Sequence, residues 1–193
     1  MKVVAWGLLG AWLVHDAEEL VTMAGWVRAH RAELEERFPM VPWERLEVSQ
    51  AQANVAIGLM GVLVASASAA GARSGGRSPW FQAALAGFGI HGVMHLGQAA
   101  LVRGYTPGVV TAPLVVLPYS VWAWRRLRAA GVPAAGWSSA VSGLAMLPLA
   151  LAGVHGAARL VTRAAGKRRA GRERAGRELV GRERERRVSG RWF

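Results

Sequence analysis

Long apolar stretches alternate with short polar ones along most of the chain, and this pattern predicts a helical membrane protein. Five stretches approach the ~20 residues that a helix needs to cross the ~30 Å hydrocarbon core of a bilayer. They are Val3–Trp26, Ala51–Ala72, Trp80–Val102, Val109–Trp124 and Trp137–Val161. A soluble bundle would need charged residues every few positions, and the last four stretches largely lack them. The predicted fold class is therefore all-α, an integral membrane helical bundle with about five transmembrane helices.

The residues between and beside the apolar stretches support this division. The connectors 28–47, 73–78 and 125–135 are polar, and six tryptophans lie near stretch ends, where indole rings favour the lipid–water interface. The first stretch resembles a secretory signal, but no small-residue cleavage site follows it, so we interpret it as a retained span. We expect a multi-pass protein of a cell membrane, such as a bacterial inner membrane. The distribution of arginines favours a cytoplasmic C-terminus.

Charge is concentrated at the C-terminal end of the chain. The chain is 52% hydrophobic, yet it has a formal net charge of +12. Residues 164–193 hold eleven Lys/Arg and four Asp/Glu, so this segment carries +7 of the total. We therefore divide the chain into a membrane domain, 1–163, and an Arg-rich tail, 164–193. Repeated Gly-Arg-Glu predicts a disordered or partly helical tail that binds anionic lipid headgroups, and we expect no nucleic acid partner.

The first apolar stretch contains ionisable residues that are costly inside a bilayer. His15, Asp16, Glu18 and Glu19 begin twelve residues after Val3, which is about 18 Å into a helix. Positions 15, 18 and 19 share one helical face, because side chains three and four residues apart are neighbours. An imidazole and two carboxylates therefore lie together.

A second polar group lies in the third stretch. His91 and His95 are four residues apart, the spacing that places two ligands on one helical face, and Gln98 continues the stripe. If the first and third helices face each other, three imidazoles and two or three carboxylates converge. The absence of cysteine leaves nitrogen and oxygen ligands, which suit zinc, iron or manganese. The alternative is that the buried His and Glu side chains only satisfy one another by hydrogen bonds.

Several other polar residues have less specific interpretations. Tyr105-Thr106-Pro107-Gly108 predicts a tight turn whose Tyr105 hydroxyl reaches the site or anchors at the interface. Tyr119 and the pair Gln50 and Asn54 are predicted to pack between helices. His155, a single histidine in the last stretch, is a less favoured candidate for a further ligand or proton carrier, and His30 is expected to be solvated.

The motifs are similar to those of the HXXEE domain family. His15-Asp16-Ala17-Glu18-Glu19 matches its His-x-x-Glu-Glu signature, and Tyr105-Thr106-Pro107-Gly108 matches its Tyr-x-Pro-Gly motif. His95 resembles the additional histidine of that family. The resemblance covers roughly residues 5–160 and implies a small helical membrane protein, but it supplies no reaction.

The function must therefore be inferred from the chemistry of the residues themselves. The first hypothesis is a membrane-embedded, metal-dependent enzyme, a hydrolase or an oxidoreductase, that acts on a lipid-soluble substrate. Its predicted catalytic residues are Glu18, Glu19 and Tyr105, and its predicted metal ligands are His15, Glu18, Glu19, His91 and His95. A proton-coupled transporter or channel is the second hypothesis, since intramembrane Glu and His chains mark proton routes. A noncatalytic membrane accessory protein is the third.

Overall fold

The computed structural model describes residues 1–43, 49–133, 145, 148–168 and 171–172. All regular secondary structure within these residues is helical, as the sequence predicts. The elements are α1 (Lys2–Arg37), α2 (Gln50–Arg73), α3 (Pro79–Val102), a π-helical turn (Ala112–Val116), α4 (Leu117–Ala129) and α5 (148–168).

Helix α1 is longer than the predicted first span. It continues without a break from Lys2 to Arg37, so the expected connector 28–47 begins inside a helix. The segment after Val27 is rich in Ala, Arg, Glu and Leu, which are strong helix formers. Arg31 also pairs with Glu35 one turn later, which supports the helix in a region without apolar periodicity.

Helices α2 and α3 have the bounds that the apolar pattern predicts. Ser49 and Gln52 form a capping box at the start of α2, which satisfies backbone N–H groups that the first turn leaves free. Ser78 caps α3 and Pro79 occupies its first turn, where the missing N–H costs nothing. Arg103, in the left-handed conformation, ends α3.

Of the described helices, α2 and α3 are the two that are long and apolar enough to cross a membrane. The structure therefore supports a coarser statement than the predicted bundle of five spans. Helix α1 carries three acidic residues near its middle, and α4 has 13 residues. The first half of the predicted span Trp137–Val161 and most of the tail lie outside the described residues.

The predicted span Val109–Trp124 is built differently from a regular helix. Its helical part begins at Thr111, passes through the π-helical turn and continues as α4 to Ala129. Pro113 and Pro118 lie in this region, and a proline removes one helical hydrogen bond and crowds the preceding turn. A π-helical turn accommodates such a disruption within a helix, and such turns are frequent at functional sites.

The core lies between α1, α3 and α4, with α2 against α1 and α3. Its centre includes Leu8, Phe81, Leu85 and Leu127, each almost completely buried. Tyr119 on α4 donates a hydrogen bond to the Val4 carbonyl oxygen on α1, which confirms its predicted interhelical role. A smaller apolar cluster joins α5 to α2.

Two glycines permit close helix packing in this core. A Cβ atom on Gly92 of α3 would lie 2.8 Å from a methyl carbon of Val116 in the π-helical turn. A Cβ atom on Gly71 of α2 would lie 2.5 Å from the Phe81 ring on α3. Glycine is therefore required for the observed spacing of α3 against the π-helical turn and against α2.

Candidate metal centre

Three imidazoles meet where the middle of α1 faces α3. The Nε2 atom of His95 lies 3.2 Å from Nε2 of His15 and 2.9 Å from Nε2 of His91. The Glu19 carboxylate approaches the same His95 nitrogen, with an Oε1–Nε2 distance of 3.3 Å. The two polar groups predicted from helical spacing are thus brought together.

This arrangement assigns too many partners to one atom. A neutral imidazole nitrogen carries either one proton or one lone pair, so His95 Nε2 cannot satisfy His15, His91 and Glu19 at once. His15 and His95 are buried, so water has little access to either side chain. Hydrogen bonding within the group therefore leaves polar atoms facing one another without a proton between them.

A divalent cation fits this donor set. The ligand atoms of His15, Glu19, His91 and His95 all lie within 4.8 Å of one another. Tetrahedral coordination with bonds of about 2.0–2.1 Å separates neighbouring ligand atoms by about 3.3 Å. The three measured separations, 2.9, 3.2 and 3.3 Å, are close to that value. Imidazole nitrogen and carboxylate oxygen suit zinc, iron and manganese, so the group can hold such an ion.

Glu18 points to a different set of partners from those of Glu19. Its Oε2 atom accepts hydrogen bonds from the Thr111 backbone N–H, at 2.8 Å, and from the Thr111 hydroxyl, at 2.6 Å. Its Oε1 atom accepts from the Val110 N–H, at 3.3 Å, and from the Tyr105 hydroxyl, at 3.0 Å. Glu18 therefore joins α1 to the loop that follows α3.

Tyr105 remains a hydrogen-bond donor in this setting. Partial desolvation, with a further contribution from Glu18, raises the pKa of the Tyr105 phenol above its usual value. The hydroxyl is protonated at neutral pH, as an unperturbed tyrosine also is, and it donates to Glu18. Its carboxylate partner is Glu18, which also accepts from Thr111.

Gly108 allows the loop to lie against the imidazoles. Its φ angle is +86°, a conformation that side chains disfavour. A Cβ atom there would lie 2.5 Å from Cε1 of His95 and 3.0 Å from Cε1 of His15. The glycine of the Tyr-x-Pro-Gly motif is therefore required by both the backbone conformation and the available space.

An apolar cavity of about 590 Å³ opens beside this group, between α1, α2, α3 and α5. Its size is within the range of small-molecule sites. Glu19, His91 and His95 contribute to its wall, and most of the remaining lining is apolar, including Trp12 and Ile57. Three of the four donors therefore face space that an apolar molecule can occupy.

The structure separates the predicted site residues into two sets. His15, Glu19, His91 and His95 converge, whereas Glu18 and Tyr105 contact each other beside them. The predicted metal-ligand role of Glu18 and the catalytic roles of Glu18, Glu19 and Tyr105 stay predictions.

Four lesser candidates take positions outside the four converging residues. His155 and Gln98 line the cavity. His30 stacks on Trp26 and has its Nδ1 atom 2.9 Å from that residue's carbonyl oxygen, so it is less solvated than expected. Gln50 donates to Asn54 within α2, and both side chains are exposed, so the predicted packing of this pair between helices is not observed among the described residues.

Sequence reasoning missed Thr111, whereas it placed Asp16 in the ionisable group of the first helix but not among the metal ligands or catalytic residues. Thr111 contacts both His15 and Glu18, and the sequence gives no periodic signal for it because it follows an irregular loop. Asp16 is buried and lines the cavity, although its helical angle points away from His15.

The fold and site define a helical bundle with a buried three-histidine, one-carboxylate group at an apolar cavity. The family described as proteins of unknown function with an HXXEE motif matches residues 6–123. The chain belongs to this HXXEE family, as its motifs predict, although the match ends before the expected residue 160. Neither the comparison with curated proteins nor that with solved structures finds a match.

Proposed function

We propose that this protein is a membrane-embedded, metal-dependent enzyme that acts on an apolar substrate. The observation that carries the proposal is the opening of a His/Glu donor set onto a large apolar cavity. A polar site that only fixed helix packing would need no such space beside it. The ligands in this proposal are His15, Glu19, His91 and His95.

A divalent metal would supply Lewis-acid chemistry or activate water or oxygen. The chain's own residues would hold the ion, exclude bulk water and orient the substrate. The apolar lining favours a substrate that is mostly hydrocarbon, with its polar end toward Glu19, His91 and His95. Hydrolysis and oxidation both remain compatible with this donor set.

Exposed apolar side chains on several helices support the membrane part of the proposal. Val21 on α1, Val62 on α2 and Leu114 in the π-helical turn are 82%, 66% and 70% exposed. Such side chains on a long apolar helix are expected where lipid is the solvent. A second support is that α2 and α3 have the length and hydropathy of membrane spans.

Ligand binding can be measured through tryptophan fluorescence, because Trp12, Trp26, Trp43 and Trp80 line the cavity. A long-chain brominated alcohol, added to detergent-purified protein, should quench this fluorescence saturably. Ala84→Leu places extra volume in the cavity wall and should weaken the quenching. Ala100→Leu adds the same volume at an exposed position on α3 and should not. Equal quenching of both variants and the wild type would contradict binding in the cavity.

Catalysis is tested on a mixture of membrane lipids. Metal-loaded wild type, incubated with total membrane lipid under air, should convert at least one component, as followed by mass spectrometry. His95→Gln should not produce the same change. A metal-loaded wild type that leaves every lipid component unchanged would contradict the enzyme proposal.

A further inference from the structure

We infer that Thr111 and Glu18 set the protonation of the His15 ring, so that its Nε2 lone pair faces the metal centre. This inference rests on the proposed function for its consequence, because a metal ligand must present a lone pair. The geometry behind it stands independently of any ion. Thr111 is therefore a positioning residue, one that acts through His15.

The direction of each hydrogen bond follows from the donors around Glu18. Two of its partners, the backbone N–H groups of Val110 and Thr111, can only donate. The Tyr105 hydroxyl and the Thr111 hydroxyl complete a set of four. An ionised carboxylate has about four acceptor sites, so Glu18 is satisfied as a carboxylate that accepts from every partner.

The Thr111 hydroxyl has one proton and uses it for Glu18. The Oγ1–Oε2 distance is 2.6 Å, which is typical of a hydroxyl donating to a carboxylate. The same Oγ1 atom lies 2.7 Å from Nδ1 of His15. Because its proton is committed, the hydroxyl must accept there, and His15 must carry a proton on Nδ1.

A neutral His15 ring with its proton on Nδ1 has a lone pair on Nε2. That atom lies 3.2 Å from Nε2 of His95, inside the group of converging ligands. Hydrogen bonds to the second nitrogen of a metal-bound histidine fix its tautomer and orientation, and their loss typically weakens metal binding 10–100-fold. Glu18 and Thr111 occupy this supporting position for His15.

Residues of both family motifs contribute to the support of His15. Glu18 belongs to the His-x-x-Glu-Glu motif, whereas Tyr105 and Gly108 belong to the Tyr-x-Pro-Gly motif. Gly108 lets the loop approach the imidazoles, and Tyr105 holds the outer oxygen of Glu18. The loop thereby brings Thr111 to the side of His15 that faces away from the other ligands.

The first test reads the tautomer directly in metal-free protein. Nitrogen-15 NMR of histidine-labelled protein distinguishes Nδ1–H from Nε2–H rings, and a His15→Gln sample identifies the His15 signals. Wild type and Thr111→Ser should show the Nδ1–H ring, and Thr111→Val should lose this preference. A wild-type His15 in the Nε2–H form, or an unchanged tautomer in Thr111→Val, would overturn the inference.

The second test measures Zn²⁺ affinity by competition with a chelator of known affinity. Thr111→Val should weaken binding 10–100-fold, whereas Thr111→Ser, which retains the hydroxyl, should bind nearly as wild type does. Thr162→Val is the matched control, because among the described residues its hydroxyl donates to the carbonyl oxygens of Ala158 and Arg159 within α5. Thermal unfolding of each variant separates a loss of fold from a loss of affinity.

The two tests separate the inference from the proposed function. A wild type that binds no Zn²⁺ but holds His15 as Nδ1–H would refute the metal proposal and support the positioning role. If wild type binds Zn²⁺ and Thr111→Val binds it equally tightly, the metal proposal is supported and the positioning role is overturned.

Discussion

At the residue scale, the sequence predicted the histidines of the site but not the residue that supports them. His91 and His95 are four residues apart on one helix, and helical geometry alone places them on one face. Their meeting with His15 required only that α1 and α3 face each other. Thr111 could not be found this way, because it lies where an irregular loop meets the π-helical turn and acts through a single hydroxyl.

Gly108→Ala tests the close approach of the loop to the imidazoles. Alanine would meet the rings of His95 and His15 and would hold an unfavourable φ angle, so we expect a loss of about 1–3 kcal/mol in the free energy of unfolding. Denaturant unfolding of the purified protein measures this loss. The variant should also bind Zn²⁺ more weakly.

Gly97→Ala is the control for this substitution. A Cβ atom on Gly97 meets nothing within 4 Å, and alanine is favoured over glycine in a helix by up to about 1 kcal/mol. Gly97→Ala should therefore unfold no more easily than wild type. Equal destabilisation by both substitutions would show that the contact at Gly108 is not the cause.

At the element scale, hydropathy correctly predicted the bounds of the two helices that are long, regular and apolar. The stretches Ala51–Ala72 and Trp80–Val102, predicted from hydropathy, agree with α2 and α3 within one residue at each end, and Ser49 and Ser78 cap the starts of these helices. Prediction was less accurate for the region after residue 109. Two prolines and a π-helical turn make that helix irregular, and hydropathy does not report backbone hydrogen bonding.

The packing of α2 on α3 gives a prediction about Gly71. Its replacement by alanine would place a methyl group against the fully buried Phe81 ring, which has no free space to move into. Overpacking of this kind typically costs 1–3 kcal/mol, and we expect Gly71→Ala to lose about that much in denaturant unfolding.

Gly58→Ala on the same helix provides the comparison. No atom lies within 4 Å of a Cβ atom at that position, so the substitution should leave stability unchanged or slightly raised. A Gly71→Ala variant as stable as Gly58→Ala would contradict the observed closeness of α2 and α3.

At the scale of the whole molecule, net charge says little about the site. The value of +12 comes mainly from residues 164–193, most of which lie outside the described residues. The site consists of histidines and acidic residues on α1 and α3. Hydropathy predicted the all-α class, whereas the shape of the cavity depends on how four helices pack and could not be read from any one of them.

Membrane insertion and topology are tested together in cells. The protein should stay in the membrane pellet after carbonate extraction, and its release into the supernatant would contradict the membrane proposal. The chain has no cysteine, so single cysteines can be introduced without removing others. An impermeant maleimide should label Arg77→Cys in intact cells and Ser189→Cys only after permeabilisation. The reverse pattern would contradict the predicted cytoplasmic tail.

The central claim is that His15, Glu19, His91 and His95 hold a divalent metal. It is tested most directly by elemental analysis of protein purified in detergent without chelators. Wild type and His30→Gln, a histidine change outside the group, should each contain about one zinc, iron or manganese per chain, and His95→Gln should contain little. Metal-free wild type, or His95→Gln with the wild-type metal content, would contradict the claim.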